Sequence, residues 1–284
     1  MTKARTKWSV TSPNAAYHLV GIGGIGMSAI ARLLLARNAR VSGSDVHRTA
    51  IVDELEREGA QVTIGHRAEN VGDPDVVVVS SAIARDNPEF VAALERRIDI
   101  VTRGAMLAEL TGAQKTIAIA GTHGKTTTTA MTAMILEGNG FDPTSAVGGV
   151  RVDTGSNAHA GNGAWFVTES DESDGSFLHL QPTIAVVTNI ENDHLSSDAE
   201  LPRLLEQFAT FVGRVPPDGR AIVGCDNRAS AFVAKHSAVP KTTFATRADA
   251  DLVAREITYA GLSSSFVVLE HCLLYTSPSP RDRG

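Results

Sequence analysis

Two glycine-rich segments of this sequence carry the residue types that hold phosphate. Ala120-Gly121-Thr122-His123-Gly124-Lys125-Thr126-Thr127 follows an apolar run, Thr116–Ile119, and precedes a stretch with helical spacing. Glycine lets loop amides approach phosphate oxygens, Lys125 adds a mobile positive charge, and the Thr126 hydroxyl can ligate Mg²⁺. The first glycine of the general GxxxxGK[ST] pattern would fall at Ile119, so the loop is the tighter GxxGKT. It points to a nucleoside triphosphate.

The second segment, Gly21-Ile22-Gly23-Gly24-Ile25-Gly26, is GxGxxG between a predicted strand and helix, and Asp45 ends the next strand. That is where a dinucleotide-binding acid belongs. Three glycines and a helix N-terminus hold a diphosphate, while the rest of the ligand is chosen elsewhere, so NAD and a UDP-linked compound both satisfy the loop. Two such loops in separate α/β units imply two phosphorylated ligands, and a dehydrogenase needs only the first.

Carboxylates follow downstream. The apolar run Ala164–Thr168 delivers Glu169, followed by Asp171, Glu172 and Asp174. Hard oxygen donors at a strand end beside a phosphate loop are suited to Mg²⁺. Glu169 is the residue selected, and the rest of the run reads as a solvated loop. Ile184–Thr188 leads into Asn189-Ile190-Glu191-Asn192-Asp193-His194, again polar groups at a strand's C-terminal end. His194 reads either as a second metal ligand or as a hydrogen-bond partner.

The elements that must position these groups follow from periodicity. Apolar runs at Tyr17–Val20, Val76–Val79 and Ile117–Ala120 alternate with helical spacing at Met27–Leu35, Val52–Glu58 and Pro88–Arg97. Shorter strands are expected at Arg40–Ser42, Gln61–Ile64 and Ile100–Thr102. This alternation predicts an α/β fold: a Rossmann-like parallel sheet over residues 1–112, then a P-loop ATPase-type α/β domain over 113–270. In the second domain, helices are predicted at Thr126–Glu137, Leu201–Phe211 and Ala229–His236, with strands at Ala164–Thr168, Ile184–Thr188 and Ala221–Gly224. Leu252–Thr258 and Ser264–Leu269 read as an antiparallel hairpin. Residues 271–284 turn into a Pro/Ser/Arg tail that looks foreign to the fold.

Composition narrows the function classes. A chain of 284 residues with 43% hydrophobic content can bury a substantial core in about two domains. A net charge of -6 disfavours nucleic acid and anionic membranes as partners and favours small molecules. The N-terminus lacks an apolar signal core, no run reaches the length of a membrane span, and only Cys225 and Cys272 occur. These features predict a reduced, cytoplasmic protein, with Cys225 a structural thiol.

Seven ordered blocks also carry a resemblance: HLVGIGGIGMSAIA (His18–Ala31), SGSD (Ser42–Asp45), SSAI (Ser80–Ile83), RGAMLAEL (Arg103–Leu110), AGTHGKTTT (Ala120–Thr128), ESDESDGSFL (Glu169–Leu178) and TNIENDH (Thr188–His194). The chain resembles the Mur ligase family, nearest its alanine-adding branch, over about residues 15 to 269. The resemblance implies an ATP- and Mg²⁺-dependent ligase of peptidoglycan synthesis with a UDP-substrate domain, a central ATPase domain and a third, amino-acid domain. It implies that UDP-N-acetylmuramate is activated as an acyl phosphate and joined to L-alanine. It also implies that this chain ends inside the central domain, as a fragment inactive by itself. A peptide-recycling ligase and an NAD-dependent oxidoreductase are the alternatives.

Carried over residue by residue, the resemblance places the UDP diphosphate on Gly21, Gly23, Gly24, Ile25 and Gly26, with Asp45, Ser80, Ser81 and Arg103 as walls of the UDP-sugar site. It places ATP on Gly121, Thr122, His123, Gly124, Lys125, Thr126 and Thr127, with Lys125 at the β- and γ-phosphates and Asn192 near adenine. Thr126 and Glu169 hold one Mg²⁺ and His194 a second, so that Lys125, Glu169 and His194 form the catalytic set. Some family members support the second metal with a carbamylated lysine. This sequence has no lysine between Lys125 and Lys235, which fits the alanine-adding branch.

Overall fold

The structure, a computed structural model, describes residues 14–171, 175–191, 201–261 and 263–270 and the backbone of 273–278. In chain order the elements are β1 (Ala16–Val20), α1 (Ile25–Ala36), β2 (Arg40–Asp45), α2 (Ala50–Arg57), β3 (Gln61–Ile64), β4 (Val76–Val79), α3 (Pro88–Glu95), β5 (Asp99–Thr102) and α4 (Arg103–Thr111). There follow β6 (Lys115–Ala120), α5 (Lys125–Gly138), β7 (Thr144–Ala146), β8 (Ala158–His159), β9 (Trp165–Glu169), β10 (Ile184–Val187) and α6 (Leu201–Gly213). Last come β11 (Arg220–Gly224), α7 (Arg228–His236), β12 (Lys241–Ala245), β13 (Leu252–Ala260), β14 (Ser263–Glu270) and β15 (Leu273–Pro278). The described residues cluster into two compact units. One takes the described residues up to Thr116 with Thr126–Ser170, and the other takes Ile117–Lys125 with the described residues from Asp171 on.

The first unit is built on a parallel sheet of order β3-β2-β1-β4-β5. Crossover helices cover such sheets on both faces, so central strands become continuous apolar runs. Val76–Val79 is wholly buried, and Val20, Val77 and Val79 pack with Val71, Ala92 and Ala93. The α3 start is set by Asn87, whose side-chain oxygen accepts the Glu89 and Phe90 amides, with Pro88 at the first helical position. In the same unit β7 pairs in parallel with β9 and antiparallel with β8.

In the second unit, β6, β10, β11 and β12 run parallel, and β13 to β15 extend the sheet, with β14 antiparallel to both of its neighbours. Leu204, Phe208, Phe211 and Val212 form the buried stripe of α6, and Phe177 packs its ring 5.1 Å from Phe208 and 5.3 Å from Phe211. The predicted hairpin is β13–β14, with a bulge between Arg255 and Thr258 that puts Glu256 at φ 52°. The expected foreign tail contributes backbone pairing through β15.

Two departures from the expected elements have local causes. The helix α4 begins at Arg103 directly after β5, capped by Thr102, so no turn residue marks it. The strand β12 is short and polar, Lys241–Ala245, and lacks an apolar signature. Cys225 is half-buried, and burial together with Asp251 and Asp226 pushes its thiol up, which suits a structural role. Among the described residues no helix is long and apolar enough to cross a membrane.

One charged group lies inside the parallel sheet unit. Glu89 is fully buried and accepts hydrogen bonds from Ser44 Oγ (2.5 Å), Asn70 Nδ2 (2.7 Å), His18 Nε2 (3.2 Å) and the Arg67 amide (3.2 Å). Burial alone would raise its carboxyl, but the hydrogen bonds from His18, Ser44 and Asn70 outweigh it and hold the group at about 2, below its ordinary 4.5. A depressed carboxyl stabilises the fold fully above its unfolded value and loses that contribution as pH falls through the folded one. Urea unfolding of the native chain and of Glu89→Gln should therefore differ most above pH 5, on the order of 3 kcal/mol. The gap should narrow as pH falls through 4.5 toward 2. A gap independent of pH would contradict an ionised Glu89.

Candidate functional site

The first glycine loop leaves β1 at Gly21, whose φ of 81° is a backbone state that favours glycine. Ser44 at the end of β2 offers its carbonyl to the Gly21 and Ile22 amides, at 2.8 and 3.0 Å. Asp45 Oδ2 accepts the Gly23 amide at 2.9 Å, and its Oδ1 accepts the His47 amide at 3.2 Å. Gly24 caps α1, no acidic residue occupies the first turn, and Gly24 and Ile25 are exposed. The early amides of a helix have no intrahelical acceptor, so this end can take an anion.

The expected walls gather unevenly around this loop. A side chain added at Gly21 would meet Ser80 Cβ at 3.4 Å, and one at Gly26 would meet Arg103 Nη1 at 3.0 Å. Ser80 and Arg103 therefore border the loop. Asp45 faces the loop backbone, and Ser81 is exposed one residue beyond Ser80.

The phosphate-type loop of the second unit is laced to the end of β10. Gly121 has φ 131°, and a side chain there would run into Thr188 Oγ1 and the Asn189 backbone. The Thr122 amide donates to the Asn189 carbonyl (3.0 Å), and the His123 amide to the Asn189 side chain (2.9 Å). Thr188 Oγ1 and Asn189 Nδ2 both donate to the His123 carbonyl, at 2.7 and 3.0 Å. Thr122 Oγ1 accepts the Glu191 amide at 2.8 Å. Lys125 begins α5 and donates from Nζ to the Gly121 carbonyl (2.6 Å) and the Thr122 carbonyl (3.2 Å). The block that follows β10 was expected to contribute Asn192 and His194, which lie outside the described residues. Its earlier members, Thr188, Asn189 and Glu191, hold the loop in shape, a role that residue type alone did not signal.

Thr126 follows Lys125 in α5 and, in the first unit, donates from Oγ1 to Glu169 Oε2 at 2.8 Å. The other carboxylate oxygen of Glu169 accepts the Gly148 amide. The expected hydroxyl and carboxylate thus stand together, and both are hard oxygen donors of the kind Mg²⁺ takes. No cluster of three or more metal-binding side chains occurs among the described residues.

A further polar clasp bears on the glycine loop. Asn157 is buried and donates from Nδ2 to the Ile25 carbonyl (2.6 Å) and to Ser28 Oγ (3.0 Å), while its Oδ1 accepts from Arg32. Arg32 also pairs with Glu54 at 2.7 Å and Glu58 at 3.0 Å. These partners are more than a hundred residues from Asn157 in sequence, and no local pattern announced them.

Two family models and a set of relatives match this chain. The model of the Mur ligase family, catalytic domain, matches residues 16–115, and that of the Mur ligase middle domain matches residues 119–276. The UDP-N-acetylmuramate–L-alanine ligase of Geotalea uraniireducens is 48% identical over 250 residues, covering 88% of this chain and 55% of that protein. The enzyme of the same name from Desulforapulum autotrophicum is 47% identical over 255 residues, covering 89% and 56%. The chain spans about half the length of the curated relatives it matches. Among solved structures, UDP-N-acetylmuramate:L-alanyl-gamma-D-glutamyl-meso-diaminopimelate ligase from Neisseria meningitides superposes with a TM-score of 0.82 at 28% identity, covering 92% of this chain and 85% of that one. UDP-N-acetylmuramate-alanine ligase from Thermotoga maritima gives 0.81 at 28% identity, covering 94% and 62%.

Gly121 tests the loop geometry. Gly121→Ala should lower stability by about 2 kcal/mol through the strained φ and the collision at Thr188, and it should abolish triphosphate binding to the loop. Chemical denaturation and calorimetric titration with ATP check this. Unchanged stability would show that the loop is not held by the β10 end.

Proposed function

The chain belongs to the Mur ligase family, and from that premise we propose that it is the nucleotide-handling part of a UDP-N-acetylmuramate–L-alanine ligase. The observation that carries the reading is the start of α5, where Lys125 and Thr126 are consecutive and Thr126 is hydrogen-bonded to Glu169. That order of ammonium, hydroxyl and carboxylate is what triphosphate chemistry requires. The identity to alanine-adding relatives supports the acceptor assignment.

In the proposed reaction the γ-phosphoryl group of ATP passes to the lactyl carboxylate of UDP-N-acetylmuramate, giving an acyl phosphate that the amine of L-alanine attacks. The products are UDP-N-acetylmuramoyl-L-alanine, ADP and phosphate. The chain's own residues position and neutralise. The loop amides that Asn189 does not take are left for the phosphates, Lys125 exchanges loop carbonyls for phosphate oxygens, and Asn192 is assigned to the adenine. The glycine loop Gly21–Gly26 seats the UDP diphosphate, with Ser80, Ser81, Asp45 and Arg103 toward the sugar. Mg²⁺ would be held by Thr126 and Glu169, with His194 at a second ion, and supplies charge neutralisation across the phosphate oxygens. A boundary between the UDP segment and the ATP segment near Gly112 is supported by the change of family model between residues 115 and 119.

Lys125→Ala should weaken ATP binding on the order of a hundredfold and leave UDP-N-acetylmuramate affinity unchanged, as read by calorimetry on the 284-residue chain. Unaltered ATP affinity would remove Lys125 from the phosphate site. NADH should fail to displace UDP-N-acetylmuramate. Preferential NADH binding would instead make the glycine loop a nicotinamide site.

A further inference from the structure

Three consecutive amides at the entrance of the glycine loop, those of Gly21, Ile22 and Gly23, are taken by two residues at the end of β2. The loop can therefore hold its shape only as well as Ser44 and Asp45 hold theirs. Ser44 is fully buried, and its hydroxyl donates to Glu89 Oε2 at 2.5 Å and stands 2.9 Å from His66 Nδ1. Glu89 gathers the other elements that meet there. His18, two residues before Val20 in β1, reaches Oε2 at 3.2 Å and Ser42 Oγ, also on β2, at 3.0 Å. Asn70 and the Arg67 amide bind Oε1 at 2.7 and 3.2 Å, and His66 Nδ1 lies 3.6 Å from the same oxygen.

A buried carboxylate is an expensive way to fill a core, since apolar residues of similar volume serve stability as well or better. What a carboxylate provides and an apolar group does not is direction: two oxygens that fix several donors at once. The donors here belong to β1, to β2 and to the segment after β3, and the hydroxyl among them is on the residue whose carbonyl clamps the loop. We propose that Glu89 is a positioning residue for the UDP-diphosphate site, acting through Ser44 to fix the end of β2 and thereby the Gly21–Gly23 amides. This leaves the first-turn amides of α1 aimed at the ligand. It rests on the reading of Gly21–Gly26 as that site. Glu89 itself touches no ligand, because it is wholly buried behind the strand end.

Calorimetric titration of UDP-N-acetylmuramate, with ADP as the internal control, separates positioning from general destabilisation. Glu89→Gln places an amide where two sets of donors converge and should weaken UDP-N-acetylmuramate binding about tenfold while ADP affinity stays the same. Ser44→Ala removes the hydroxyl link to Glu89 together with its contact to His66, leaves the Ser44 carbonyl in place, and should give a loss of similar size. The double variant should be no weaker than the weaker single variant, because on this proposal both reach the loop through Ser44 and the end of β2. Additive losses, or UDP-N-acetylmuramate affinity within twofold of the native value in Ser44→Ala, would overturn the proposal. Absence of UDP-N-acetylmuramate binding in the unsubstituted chain is a separate result, which would overturn the loop reading and this inference with it.

Discussion

A glycine turn that leaves a parallel strand exposes backbone amides faster than a helix can use them, and each must be given either to a ligand or to the protein. Both phosphate-type loops of this chain meet the demand in the same way. The end of the neighbouring strand, or the segment directly after it, takes some of the amides and leaves the rest. At the first loop the acceptors are the Ser44 carbonyl and the Asp45 carboxylate. At the second they are the carbonyl and side chain of Asn189, with Thr188 tying back the His123 carbonyl. The strand register therefore does more than build a sheet, because it sets which amides remain for an anion.

This arrangement explains where polar residues are tolerated in otherwise apolar layers. The strand β4 is four buried valines, whereas β1 and β2, the strands that enter and brace the loop, carry His18, Ser42 and Ser44. A buried hydroxyl or imidazole needs a partner, and Glu89 supplies it from the capped first turn of α3, where the helix dipole also favours a negative charge. Part of the polar cost lies behind the loop. Buried polar groups elsewhere, such as Arg151 with Glu137, are partnered in the same way, and apolar packing is represented by the ring cluster of Phe177, Phe208 and Phe211.

Most of the α/β elements were legible because their signals are local. Alternation of apolar runs with helical spacing marked β1, β4, β6, α3 and α6, and the GxGxxG and GxxGKT patterns marked both loops. Thr126 and Glu169 were each singled out as oxygen donors from residue type and position, and their hydrogen bond to one another appears only in the structure. What was not legible depends on contacts between distant residues. Nothing near Asn157 says that it will bond the Ile25 carbonyl, and Glu89 reads as an ordinary surface acid in a short helix until the fold folds it inward. The end of β5 at Thr102 was legible, but the helix α4 was not, because no breaker residue separates it from the strand.

The position of the Lys125 ammonium has a consequence for binding. Its bonds to the Gly121 and Thr122 carbonyls hold the ammonium over its own loop before any anion arrives. Under the reading proposed for the loop, the charge is thus placed in advance, and binding reorganises two hydrogen bonds instead of ordering a free side chain.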